Sequence, residues 1–235
     1  MRILKLCLLA SLLVSVDVVS SQLVPHPCLS SLAVGHAKSP TFGSGNRNTV
    51  SLRRYVLDSS QSRFVARAFS GGLLWFKGHD HLVALREFRG EAQITPEAIT
   101  PASLEIIAKA ASLVETRDVF TDAQKKIINQ ELREIVLLPE QYPDIVFKST
   151  SVTGEVIGNN KVYELKIAGA LTFHGVTRPL TIPTKVTLTG NDLRAQGEFS
   201  INRSDFKVKA TSAVHGLVRV RDKIKFEFDI VGHQR

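Results

Sequence analysis

Apolar residues fall on alternate positions of the chain in stretch after stretch. In residues 88–94, Phe88, Gly90, Ala92 and Ile94 share one parity, and Arg89, Glu91 and Gln93 share the other. Leu193, Ala195, Gly197, Phe199 and Ile201 repeat the arrangement against Arg194, Gln196 and Glu198. Ile224, Phe226, Phe228 and Ile230 do the same against Lys223, Lys225, Glu227 and Asp229. Further runs lie at 64–69, 104–110, 145–152 and 165–188, and "GNN" (158–160) and "TGND" (189–192) punctuate them as turns. A period of two with one apolar parity predicts strands with one buried face. Within 165–188, His174, Gly175, Arg178 and Pro179 interrupt the rhythm, which predicts a hairpin break there, with Gly175 free to take a positive φ and Pro179 holding Arg178 extended.

One segment follows a different period. Thr121 and Gln124 have the spacing of a capping box, Ile128, Leu132 and Ile135 recur at helical intervals, and Pro139 ends the run. The expectation is one helix over about 122–137 inside an antiparallel β chain, closed as a barrel or stacked as a sandwich. Gly90, Ala92, Ala108, Ala110, Gly169, Ala195 and Gly197 fall on the apolar parity. Such small residues either leave interior space for a ligand or let the sheet pack and bend tightly, and the pattern alone leaves both readings open.

The first 22 residues place Arg2 and Lys5 before a short apolar run, Leu8–Val16, and end on Ser20 and Ser21, the pattern of a secretory signal peptide. Residues 23–53, rich in Pro, Ser, Gly and Asn, read as a disordered leader, and 54–235 as the folded domain. A periplasmic or secreted location is therefore expected. With Cys7 in the signal, Cys28 stands alone, so no internal disulfide is expected and the core must hold the fold. Apolar residues make up 43% of the chain, enough to do so. The net charge of +8 favours anionic partners such as a membrane surface. The basic residues are spread singly over outward strand positions, not gathered into a stripe, which argues against nucleic acid.

Several segments resemble a known family. "GALTFHGVTRPLTIP", "YVLDSSQSRFVARAF", "EIVLLPEQYPDIVFKST", "GEFSINRSDFKVK" and "VRDKIKFEFDI" resemble, in order, segments of the YceI-like family of secreted polyisoprenoid-binding proteins. The resemblance runs from about Tyr55 to Ile230. It implies a mainly β fold, an extended antiparallel lipocalin-like β-barrel of about eight strands with one helical insertion. It also implies an apolar cavity for an isoprenoid lipid or quinone, a homodimer, and no enzymatic activity.

On that reading the ligand-binding candidates are Phe69, Trp75, Phe76, Phe88, Ile106, Phe147, Phe173, Phe199, Phe206 and Phe226, with His81, His174 and Arg178 at the polar end. "GHDH" (78–81) could contribute His79 and His81 to a metal site, completed by His174 or His215. That defines the alternative, a His-dependent metal-binding protein or enzyme on the same barrel. The chain has no G-x-S-x-G, HExxH, P-loop or G-x-G-x-x-G motif, and Ser204–Asp205 with a distant His makes no legible triad. No cofactor is expected. A third reading is an interaction module whose barrel is solid.

Overall fold

The computed structural model describes residues 51–72, 78–96, 98–158, 161–209, 212–213 and 218–235. The segment read as a signal, the leader reading up to residue 50, Trp75, Phe76 and His215 lie outside these residues, and Arg53, placed in the leader by its composition, already belongs to the first strand.

Among the described residues, eleven strands and one α-helix follow one another: β1 (Arg53–Gly71), β2 (His81–Leu85), β3 (Phe88–Thr95), β4 (Ile99–Lys109), β5 (Leu113–Glu115), α1 (Asp122–Glu131), β6 (Asp144–Ile157), β7 (Val162–Phe173), β8 (Val176–Thr189), β9 (Asp192–Asn202), β10 (Ser212–Ala213) and β11 (Val218–Gln234). They form one antiparallel sheet in the order β10-β11-β9-β8-β7-β6-β4-β3-β1-β2-β5, and β1 also pairs with β11. The β1–β11 ladder closes an eight-stranded barrel of β1, β3, β4, β6, β7, β8, β9 and β11.

β2 and β5 prolong two walls at one end. β1 pairs with β3 through Arg53–Val56 and with β2 through Phe64–Ala68, so β2 and β3 act as one long strand broken at Arg86–Glu87. β4 and β5 are broken in the same way by a single 3₁₀ turn, Ala110–Ser112. Between its two partners β1 bulges at Asp58–Arg63. Asp58 shapes the bulge by accepting from the Ser60 N–H (2.8 Å) and hydroxyl (2.6 Å). The Ser60 hydrogen bonds hold the Asp58 carboxyl well below its ordinary range, at about 2.

The helix has the expected capping box, with Thr121 Oγ1 accepting from the Gln124 N–H. It ends sooner than the spacing predicts, as regular α-helix only to Glu131. Leu132–Leu137 continue as wider π-type turns, and Leu138 stops them in the left-handed region at φ 47°.

The hairpin break is also shorter than expected. His174 (φ 50°) and Gly175 (φ 72°) form the whole turn, as a two-residue antiparallel hairpin with positive φ at both positions favours. A side chain on Gly175 would strike the Tyr142 ring at 2.7 Å. Arg178 and Pro179 belong to β8, paired with Leu171 and Ala170.

Pro179 and Pro183 can sit inside β8 because of what lies on its other side. β9 pairs with β8 only from Thr184 to Thr189, so β8 from Val176 to Pro183 has no partner on that edge among the described residues. Both prolines share a parity, and the Pro183 carbonyl faces β9 near Gly197, so neither removes a donor from the β7 ladder.

Candidate functional site

The inward parity of the barrel encloses a cavity of about 580 Å³, within the usual range for small-molecule sites. Leu165, Ile167, Leu171 and Phe173 mark its course along β7. At about 3.3 Å per residue and a strand tilt near 40°, they span roughly 20 Å of the barrel axis. The far end abuts buried protein core. Tyr55 and Tyr163, both fully buried, pack there with Ile99 and Leu188, and none of the four lines the cavity. The near end is flanked by α1, the start of β2 and the segment 203–209.

The small residues on the apolar parity divide by role. A side chain on Gly169 would meet the Phe147 ring at 2.7 Å, and one on Gly197 the Phe228 ring at 2.7 Å, so both glycines make way for aromatics already present. Gly90 yields to Leu57 in the same way. Ala92, Ala108 and Ala195 do line the cavity, and with Ala66, Ala68 and Ala102 they leave the space open. Tight packing and ligand room are therefore both present, at different positions.

One wall is aromatic. Phe199 and Phe226 stack at 4.9 Å, and Phe64 lies 6.0 Å from Phe226 and 6.1 Å from Phe228. All four line the cavity. From the sequence candidates, His81, Ile106, Phe147, Phe173, Phe199 and Phe226 line it as well.

Five candidates sit elsewhere. Phe69 has the outward parity of β1, opposite to Ala68 and Ser70. Phe88 is buried in a neighbouring cluster with Leu57 and Leu137. His174, Arg178 and Phe206 converge outside the cavity, at the gap where β8 and β9 part. The 3₁₀ turn Arg203–Phe206 fills this gap. Phe206 is 3% exposed and packs on Phe173 at 5.7 Å; Arg178 Nε donates to the Asp205 carbonyl at 3.2 Å; His174 packs on Tyr142 at 4.3 Å. Burial pushes the His174 ring below the ordinary histidine value, against its hydrogen bond with the Phe206 backbone, and the Lys209 charge pushes it the same way as burial. These residues pack at the wall, outside the cavity lining.

The polar side chains at the mouth are His79, His81, Gln124, Glu131, Arg203, Lys209 and Arg219. Arg203 donates through Nη1 to the Val208 carbonyl, and its buried Nε, 3.8 Å from Asp222, has no hydrogen-bond partner among the described residues.

The residues of "GHDH" serve different partners. Asp80 accepts from the Ser70 N–H (2.9 Å) and its carbonyl receives Arg117 Nη1 (2.8 Å), while His79 meets Phe120 edge-on at 5.8 Å. His81 Nδ1 faces Glu115 at 2.8 Å. Among the described residues no group of three or more His, Cys, Asp or Glu side chains is arranged to hold a metal ion. Ser204 Oγ donates to Asp222 at 2.7 Å, and Asp205 accepts from Asn202, so neither faces a histidine.

Glu115 escaped the sequence reading, as did Phe64, Phe120 and Phe228. Burial alone would push the Glu115 carboxyl up, but hydrogen bonds from His81 and from the Arg117 and Leu82 N–H groups outweigh it and hold it below the ordinary range. Phe64 and Phe228 were within reach, since each shares parity with residues that read as inward.

The YceI-like domain profile matches residues 55–232, the span of this barrel. The chain belongs to the YceI-like family. Solved structures agree on the fold of this YceI-like chain. BcnA of Burkholderia cenocepacia superposes with a TM-score of 0.56 at 19% identity, covering 74% of this chain and 98% of its own. A polyisoprenoid-binding domain from Saccharophagus degradans superposes at 0.53 with 13% identity, covering 77% of this chain and 98% of its own. No curated protein matches the sequence.

Proposed function

We propose that this YceI-like barrel binds an isoprenoid lipid, a polyprenyl compound or an isoprenoid quinone, with the tail in the cavity and the polar end at the mouth. It carries or sequesters the lipid without transforming it. The observation that carries this reading is the cavity itself: deep, walled mainly by apolar side chains, with its histidines and charged side chains gathered at the mouth and only the uncharged Gln93, Ser103 and Thr184 as polar lining farther in. That the Saccharophagus neighbour is a polyisoprenoid-binding domain supports the same class of ligand. The signal-like start of the chain supports a periplasmic or extracellular setting, where such lipids are insoluble and need a container.

A titration with prenols of increasing length tests the reading. Each buried methylene contributes about 0.8 kcal/mol, so affinity should climb by roughly two to three orders of magnitude per five-carbon unit buried. It should then level off once the tail fills the cavity. Affinity independent of length would refute a tail-in-cavity mode.

A further inference from the structure

One polar pair at the mouth has a fixed chemistry. The Glu115 side chain is 0% exposed. Its Oε1 accepts from the N–H groups of Leu82 (3.2 Å), Thr116 (3.0 Å) and Arg117 (2.8 Å), and its Oε2 faces His81 Nδ1 at 2.8 Å. A carboxylate among four donors only accepts, so His81 Nδ1 must carry a hydrogen. In the neutral ring, Nε2 is then a bare acceptor on the edge away from Glu115. Phe120 lies over the His81 ring at 5.4 Å and 16°, and His79 meets Phe120 edge-on, so the ring is packed in place. His81 lines the cavity with its side chain 26% exposed, and among the described residues its ring's hydrogen-bond partner is Glu115, through Nδ1. The cations at the same mouth, Arg203, Lys209 and Arg219, are donors only.

We infer that His81, positioned by Glu115, is the head-group acceptor of the cavity, and that it selects isoprenoids whose head group carries a hydroxyl, a prenol or a quinol. The hydroxyl proton is given to Nε2, and its oxygen remains free to accept from a cation at the mouth. A quinone or ether of the same tail has no proton to give and leaves the Nε2 lone pair unmet on a partly buried surface, a loss of about tenfold or more in affinity.

This inference rests on the lipid reading above, and the test separates the two. A prenol and its O-methyl ether of equal chain length are titrated at pH 8 into wild type, His81→Phe and Glu115→Gln. Wild type should prefer the alcohol by about tenfold or more. His81→Phe should lose the preference while binding the ether as before. Glu115→Gln keeps its amide oxygen on the three backbone N–H groups and turns its NH2 to His81 Nδ1, which must then accept, so Nε2 carries the hydrogen and the preference for the alcohol should be lost while ether affinity does not fall. The ¹⁵N shift of His81 Nε2 should report an unprotonated nitrogen in wild type and a protonated one in Glu115→Gln. Equal affinity of wild type for both ligands, or a preference that survives in His81→Phe, overturns the assignment of His81. Failure of both ligands to bind overturns the lipid reading and the inference with it.

Discussion

Replacing Ala195 with Trp should reduce affinity for a long prenol by about a thousandfold and leave the barrel folded. Ala195 lies in β9 opposite Ile230 of β11 and Val186 of β8, and all three line the cavity. An indole at that position enters open space in place of the lipid. If it displaces one five-carbon unit, at about 0.8 kcal/mol per methylene, the loss is ~4 kcal/mol, or three orders of magnitude. Because the space is already there, overpacking should be slight and the thermal midpoint should shift by only a few degrees. Titration and a thermal melt on the same preparation check both halves. Unchanged affinity in a folded Ala195→Trp protein would mean that the lipid does not pass this point of the tunnel.

Phe206→Ala should produce the opposite pattern, a large loss of stability with or without ligand. The ring is 3% exposed and plugs the wall where β8 and β9 separate. Truncating a buried Phe costs about 3–5 kcal/mol. For a domain of this size that lowers the thermal midpoint by roughly 6–20 °C. Arg178→Ala, which removes one exposed hydrogen bond to the Asp205 carbonyl, should cost about 1 kcal/mol or less. Were Phe206 and Arg178 ligand contacts, as their place in the sequence suggested, the variants would weaken lipid binding and spare the empty protein. Differential scanning calorimetry of the lipid-free variants distinguishes the two roles.

Much of the barrel was legible because its physics is local. Alternation in β3, β7, β9 and β11 follows from the pleat, and the Thr121–Gln124 cap depends on two residues three apart. Parity also pointed to Ala92, Ala108 and Ala195, though it could not separate them from Gly169 and Gly197. Only the position of the Phe147 and Phe228 rings, set by neighbouring strands, shows which small residues are already covered.

What was missed depends on pairings distant in sequence. His174 and Arg178 looked like rim residues because they flank a hairpin end. Their roles come from a turn some thirty residues later that settles beside β8. The prolines of β8 marked the unpaired edge, but reading it required knowing that β9 departs after Gly197. Glu115 was silent because a single acid after Leu113 and Val114 resembles any outward strand residue. Its burial arises from the β2–β5 pairing that brings His81 and the Leu82 N–H to it.

The central claim is that the interior is space for a lipid tail and not protein core. Native mass spectrometry of the full chain, purified from its source without detergent, tests it most directly. The expected result is a one-to-one complex whose bound mass, released on unfolding, is an isoprenoid lipid. A protein that appears only at its own mass, and that takes up no prenol when one is supplied, would contradict it.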